Sequence, residues 1–244
     1  MELSIIIPAY DEARKIARDV EAAGAFLYAQ GIDGEIIVAD DGSTDGTGDV
    51  ALRTKVPPGI ALSVITLKHH TGKGAAVRAG VARSGGTYVM FADAGLTVPY
   101  ADALRGLALV KGGRYELAHG SRWLPESIIR KPQDTWRRSL SRMVWWMLRR
   151  ALTLPNNLTD TQCGFKVYHG DAARALFSRC TTGHFLVDVE VLVLALKQGY
   201  RVAEFPVSWN CDRDSRLSVR SHALQVISDL LAIRRLDRRF PTRS

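Results

Sequence analysis

Two carboxylates in succession, Asp40 and Asp41, end the apolar run Ile36-Ile37-Val38-Ala39, and the turn-rich Gly42-Ser43-Thr44-Asp45-Gly46-Thr47 follows them. A short apolar run of this kind reads as a buried parallel strand, and residues just past the C-terminal ends of such strands lie where open α/β sheets take their ligands. Paired acceptors there suit a ligand rich in N–H and O–H donors, whereas a single Asp would more simply cap the turn. The first apolar run, Leu3 to Ala9, ends the same way in Tyr10, Asp11 and Glu12, which adds a ring and two more acceptors beside Asp40 and Asp41. Farther on, His69-His70-Thr71-Gly72-Lys73-Gly74 joins a third run, Ala61–Leu67, to a helical pattern that continues through about Arg83. A lysine between glycines at a helix N-terminus can cradle an anion, or it can be the solvent-facing residue of a capped turn. The spacing is not that of a Walker loop.

The elements that must hold these residues follow from periodicity. Ile16, Val20, Ala23 and Leu27 recur at helical spacing and Gly31 supplies a stop, so 12–30 is predicted as an amphipathic helix packed on the sheet. Thr87 to Ala92 is predicted as another strand with Asp93 at its end, and His119-Gly120-Ser121-Arg122-Trp123 follows a further short one. Alternating strands and helices in 244 residues, without a low-complexity linker, charge block or repeat, predict one α/β domain with a mostly parallel central sheet. Its expected extent is 1–235, with a first half to 125, a second half 126–235 and a basic tail 236–244.

Ile6-Ile7-Pro8-Ala9-Tyr10-Asp11-Glu12 together with Val38-Ala39-Asp40-Asp41-Gly42-Ser43-Thr44-Asp45-Gly46-Thr47 resembles the nucleotide-binding half of a family 2 glycosyltransferase of the GT-A fold, a Rossmann-like nucleotide-diphospho-sugar transferase. The resemblance implies that Pro8, Tyr10, Glu12, Asp40 and Asp41 hold the base and ribose of a nucleotide sugar and that Lys73 lies near it. It also implies that Asp93 meets the nucleotide sugar and a Mg²⁺ or Mn²⁺ ion, and that Arg122 faces the diphosphate. At the metal motif, Asp-x-Asp in the family, this chain reads Asp93-Ala94-Gly95. Hard divalent ions want several oxygen ligands, so metal affinity is expected to fall. Asp93 then binds the ion with diphosphate oxygens and water, or Arg and Lys side chains neutralise the leaving group, or the site is impaired.

The block Asp160-Thr161-Gln162-Cys163-Gly164-Phe165-Lys166 resembles more narrowly the acceptor-side motif of dolichyl-phosphate glucosyltransferases and their prokaryotic relatives. With Phe185-Leu186-Val187-Asp188-Val189-Glu190 and Asp214-Ser215-Arg216-Leu217, the resemblance extends from residue 3 to about 235. It implies that Asp160 and Gln162 lie by the acceptor phosphate and sugar, with Asp93, Arg122 and Asp160 as the catalytic set. Asp188 and Glu190 are either carboxylates behind the site or polar positions on a largely buried helix.

The net charge of +8 has a local origin. Residues 130–150 hold Arg130, Lys131, Arg137, Arg138, Arg142, Arg149 and Arg150 against Asp134 alone, a local charge of +6. On a helical projection from Leu140 over 134–152, Trp136, Met143, Val144, Met147, Leu148 and Ala151 fall within about 80°, while Arg138, Arg142 and Arg149 cluster on the opposite side. Trp145 and Trp146 flank the arginines, a mixture favoured at lipid headgroups; a helix packed on its own domain with a solvated arginine face is the alternative. No recognised nucleic-acid motif accompanies it. No run of about 18 apolar residues occurs, and the N-terminus opens on a core strand, so the expected place is cytoplasmic with peripheral membrane association. Cys163, Cys180 and Cys211 lack metal spacing and read as reduced thiols.

The combined expectation is an inverting transferase that moves a sugar, glucose from UDP-glucose in the first instance, onto a polyprenyl (dolichyl-type) phosphate held by Arg137, Arg138, Ser141, Gln162 and Arg216. A GDP-mannose-dependent polyprenyl-phosphate mannosyltransferase and a catalytically silent nucleotide-sugar-binding homologue are the alternatives. Oligomeric state is left open.

Overall fold

β1 (Leu3–Ala9) and β2 (Gly34–Asp40) are buried at every residue. Apolar runs without polar alternation form the middle of a sheet covered on both faces. A computed structural model describes residues 1–131, 148–152, 154, 155, 157–211, 225 and 228–236. In chain order it adds α1 (Ile16–Ala29), α2 (Thr47–Arg53), β3 (Ala61–Thr66), α3 (Lys73–Arg83), β4 (Tyr88–Ala92), α4 (Ala103–Lys111), β5 (Leu117–Ser121) and β6 (Ile128–Lys131). There follow β7 (Phe165–His169), α5 (Gly170–Phe177), α6 (Val187–Lys197), β8 (Val202–Pro206) and β9 (Ser208–Asn210). Residues 148–152 and 228–236 are also helical.

The main sheet has seven strands in the order β3-β2-β1-β4-β7-β5-β8, and β6 pairs with β9 in a small second sheet. All strands of the main sheet share one direction except β7, which runs antiparallel to both β4 and β5. The sheet is thus α/β and mostly parallel, as expected. Its one reversal matters: the N-terminal end of β7, and the 160–164 loop before it, reach the same edge as the C-terminal ends of β1, β2, β4 and β5. Since β7 lies between β4 and β5, residues on both sides of position 125 share one sheet.

Side chains of a strand alternate between faces, and the core divides accordingly. Ile5, Ile7, Ile36 and Val38 pack with Val20 and Leu27 of α1 and Leu107 of α4. Ile6, Ile37 and Ala39 pack on the other face with Val77 and Val81 of α3, Leu176 of α5 and Val191 of α6. A third cluster sets Leu148, Leu152, Leu154 and Leu158 against Leu186, Val189, Leu192, Val193 and Ile233. α6 is therefore apolar nearly all round because it is covered on two sides. The basic segment 134–152 is described only over its last turn, where Leu148 and Leu152 pack on α6. Residues 134–147, with Arg137, Arg138, Ser141, Trp145 and Trp146, lie outside the described residues, as do Arg216 and tail residues 237–244.

The helix expected over 12–30 begins later, at Ile16. Its would-be first turn is drawn toward the loop after β2: Glu12 N donates to Thr47 Oγ1 at 2.8 Å and Ala13 N to Asp45 Oδ2 at 3.0 Å. Partners across the sheet edge replace local helix bonds there.

α3 approaches β1 so closely that a Cβ on Gly80 would lie 2.5 Å from Ile6 Cγ2. Gly80→Ala is expected to destabilise the fold by about 1–3 kcal/mol through overpacking, despite the better helix propensity of Ala. Urea unfolding of the two proteins measures this difference.

Candidate active site

The loop after β1 and the loop after β2 are sewn together by their own side chains. Asp11, at φ 50°, donates its N–H to Ser43 Oγ at 2.8 Å, and its Oδ1 accepts from Thr44 N at 2.9 Å. Asp40 closes its own turn: Oδ1 accepts from Ser43 N at 3.0 Å and from the Ser43 hydroxyl. Asp41 is buried and faces the other way, accepting from Thr71 N at 2.9 Å, Gly72 N at 2.7 Å and His70 Nδ1 at 2.8 Å. The carboxylate pair therefore fixes two loops, with Asp40 as turn cap and Asp41 as the clamp on the loop entering α3. The ring of Tyr10 stacks on that of His70, centroids 3.8 Å apart. Pro8 lies past the last β1–β4 pair, Ile6↔Phe91, where no partner on that side needs its missing N–H.

Glycines flank Lys73 for reasons of packing. A Cβ on Gly72 would lie 2.5 Å from Gly183 O, and one on Gly74 would lie 2.8 Å from Thr182 O. The 182–183 loop is itself held by Glu190, whose carboxylate accepts from the backbone N–H and hydroxyl of both Thr181 and Thr182. Lys73 does not face solvent. Its Nζ lies 2.7 Å from Asp93 Oδ1 and 3.1 Å from Asp188 Oδ2. Asp188 Oδ1 accepts in turn from Lys166 Nζ at 2.7 Å, and Lys166 is wholly buried. Burial alone would push the Lys73 ammonium down, but the charges of Asp188 and Asp93 reverse this and hold its pKa above the ordinary lysine value. Burial opposes ionisation of Asp188 too, and Lys166 and Lys73 outweigh it.

Asp93, at the end of β4, packs against the loop before β7, its N–H donating to Gly164 O at 2.8 Å. A Cβ on Gly164 would fall 1.8 Å from Asp93 Oδ2, so no other residue fits beneath the carboxylate. Asp93 Oδ1 lacks an aligned hydrogen bond although the Lys73 ammonium is beside it. Gly95, at φ +96°, turns its N–H to the carboxylate of Asp19 at 3.0 and 3.1 Å, and Leu96 N adds a third bond at 2.8 Å. An Asp at 95 would be strained at this φ. These residues do not fit a divalent ion: the one carboxylate faces an ammonium, and the neighbouring position is a backbone turn whose N–H is turned to Asp19.

Arg122 follows β5 and grips Asp160 bidentately, Nε to Oδ2 at 2.6 Å and Nη2 to Oδ1 at 2.9 Å, with Arg122 N adding a bond to Oδ2 at 3.1 Å. The guanidinium lies 5.4 Å from the Trp209 ring. Gln162 N donates to Asp160 Oδ1 at 3.1 Å, and Glu204 accepts from Asp160 N at 2.7 Å and Thr159 N at 2.8 Å. Burial disfavours the Asp160 anion, but the charge and hydrogen bonds of Arg122 hold its carboxyl below the usual range. Asp160 is thus a fixed anion that orients Arg122. Burial pushes the Cys163 thiol up to about 12, so it is inert. An open cavity of about 800 Å³ lies beside α3 and α5, lined by Leu67, His69, Arg78 and Phe177; Asp41, Asp93, Arg122 and Asp160 do not line it.

The structure brings Tyr10, Glu12, Asp40, Asp41, Lys73, Asp93, Arg122, Asp160 and Gln162 to one edge of the sheet. Sequence reasoning missed Lys166, Gly164, Asp19 and Glu204. For Lys166 a signal was present, since a charge inside Phe165-Lys166-Val167-Tyr168 is expected to be buried with a partner.

A sheet of this order, with carboxylates and cations at the parallel strand ends, has the GT-A architecture. Residues 4–177 match Glycosyl transferase family 2, and the chain belongs to that family. It is 34% identical over 241 residues to Glycosyltransferase AglD of Haloferax volcanii, covering 95% of this chain and 36% of that protein. It is 32% identical over 248 residues to the Dolichyl-phosphate beta-glucosyltransferase of Mus musculus, covering 96% of this chain and 75% of that one. Among solved structures, glucosyl-3-phosphoglycerate synthase from Mycobacterium tuberculosis in complex with Mn²⁺ and UDP-glucose has a similar fold. Its TM-score is 0.69 at 19% identity, over 95% of this chain and 78% of that one.

Asp160→Asn keeps the shape and removes the charge, leaving Arg122 unpaired in a largely buried place. A loss on the order of 3 kcal/mol is expected at neutral pH. Because the folded pKa of Asp160 lies below the unfolded value of ~3.9, its contribution is complete above that value and is lost as pH falls through the folded pKa. Urea unfolding of wild type and variant is therefore expected to differ most at neutral pH and to converge in acid.

Proposed function

We propose that this chain transfers glucose from UDP-glucose, with inversion, to a polyprenyl phosphate of dolichyl type at a membrane surface. The observation that carries the proposal is the reversed strand β7, which sets Asp160-Thr161-Gln162-Cys163-Gly164 directly against Asp93 and Arg122. Relatives that carry the name dolichyl-phosphate beta-glucosyltransferase support the acceptor and the sugar. No helix among the described residues is long and apolar enough to cross a membrane.

In this reading Pro8, Tyr10, Glu12, Asp40 and Asp41 frame the base and ribose, and Lys73, Asp93 and Arg122 the diphosphate. Gln162, with Arg137, Arg138, Ser141 and Arg216, frames the acceptor phosphate. A phosphate monoester has a second pKa near ~6 and is largely a dianion at neutral pH, so no general base is required. One of its oxygens bonds to the sugar C1 from the face opposite the leaving group. The bond from C1 to the UDP oxygen breaks, and its electron pair leaves with the β-phosphate. Asp160, ionised and bonded to Arg122, takes no proton; it orients the guanidinium toward the reacting phosphates, and rate comes from positioning and charge placement.

Incubation with UDP-glucose and a short polyprenyl phosphate is expected to yield a glucosyl lipid phosphate, and Asp93→Ala, which frees the Lys73 ammonium from its outer anchor, to lose about a hundredfold of the rate through misplacement of that cation while unfolding like wild type. Faster product from GDP-mannose would overturn the donor assignment. Nucleotide binding without product from any donor would mark a silent homologue.

The basic segment gives a second test. Trp145→Ala with Trp146→Ala is expected to weaken cosedimentation with anionic liposomes and to raise the KM for a long-chain acceptor while leaving UDP affinity unchanged. Unaltered liposome binding would remove this segment from the membrane contact.

A further inference from the structure

We infer that the Lys73 ammonium is the resident cation of the diphosphate position, so that UDP binds and leaves without a divalent ion, and that Asp188 and Lys166 hold Lys73 in place for that task. The inference rests on the reading of this edge as a nucleotide-sugar site.

Charge balance carries it. A divalent ion between two carboxylates makes a locally neutral group on which a diphosphate can sit. Here Gly95 removes one carboxylate, and a single ammonium at 2.7 Å faces the one that remains, Asp93. Asp188 does not disturb this balance, because the wholly buried Lys166 neutralises it at 2.7 Å. Loss of one negative charge is matched by replacement of a dication with a monocation.

Geometry points the same way. The Lys73 chain cannot swing freely: its Nζ is bonded to Asp188 Oδ2 at 3.1 Å, lies 5.3 Å from the Phe91 ring centroid, and leaves from the first residue of α3. Lys166 lies on the other side of Asp188 and 5.4 Å from the same ring. Lys73 has two carboxylate partners, Asp188 buried within and Asp93 partly exposed at the edge. The ammonium therefore spans from the interior to the ligand edge, with Asp188 as its positioning residue. Arg122, also at this edge, is committed to Asp160 through two of its nitrogens.

The experiment is a calorimetric titration of the full chain with uridine and with UDP, each in EDTA and in Mn²⁺, for wild type, Lys73→Met and Asp188→Asn. Wild type is expected to bind UDP with the same Kd within about twofold in both buffers, and to turn over in EDTA. Lys73→Met, close to isosteric, is expected to lose at least about tenfold in UDP affinity and to keep uridine affinity. Asp188→Asn is expected to lose a smaller factor for UDP alone, a split between ligands that a general loss of structure would not produce. The inference is overturned if Mn²⁺ tightens UDP binding tenfold or more in the wild type, a result that needs no variant to fold. It is equally overturned if folded Lys73→Met binds UDP like wild type. Failure of wild type to bind uridine or UDP in either buffer would overturn the nucleotide-site reading itself and, with it, this inference.

Discussion

The buried carboxylate of Asp188 is the interaction on which the ligand edge depends. It belongs to α6, yet it receives Lys166 from β7 and Lys73 from α3, and through Lys73 it reaches Asp93 at the end of β4. Four elements meet in one alternating row of charges. Lys166 and Asp188 cannot stand alone at this depth, since an unpaired buried ion costs several kcal/mol, whereas Asp93 is partly exposed. Removing Asp188 would leave Lys166 uncompensated in the interior, so the row specifies a single arrangement of α6 over the sheet.

Hydrogen bonding at the strand ends follows the same economy. Loops after parallel strands cannot use the ladder, and their N–H groups need other acceptors. Asp11, Asp40, Asp41, Asp45 and Asp19 supply them, each taking backbone N–H groups from a loop other than its own or closing its own turn. Many of the acidic residues at this edge are therefore scaffold. What they leave for a ligand is a surface of fixed dipoles and ions: the Tyr10–His70 stack, the outer side of Asp93 with Lys73, and Arg122 held by Asp160.

How much of this could be read in the sequence depends on whether the cause was local. β1 and β2 were legible because strands buried on both faces are written as unbroken apolar runs. α3 was legible because Gly72 and Ser84 bracket a helical stretch. The capping role of Asp40 was legible as the simpler alternative, since Asp to Ser43 is a contact across three residues. The reversed direction of β7 was not: Phe165-Lys166-Val167-Tyr168 reads the same in either orientation, and only pairing with β4 and β5 decides it. Asp188 and Glu190 stood open between two readings and divide between them. Asp188 enters the row behind Asp93, whereas Glu190 ties down Thr181 and Thr182. The link from Lys73 to Asp188 spans 115 residues, and no spacing rule reaches that far.

The packing of α6 ties residues 148–152 to the same row of charges. One side of the helix, with Val187 and Val191, belongs to the core beneath the sheet, and the other, with Val189, Leu192 and Val193, packs against Leu148 and Leu152. Asp188 lies in its first turn, between those two contacts. Close-packed interiors transmit displacement instead of absorbing it, so the last turn of the basic segment and the Lys73 ammonium are referred to one rigid helix. The side chains between Leu148 and Asp188 accordingly set where residues 148–152 lie relative to Asp93. Under the proposed function, changes in those apolar side chains act on the alignment of donor and acceptor without touching either ligand.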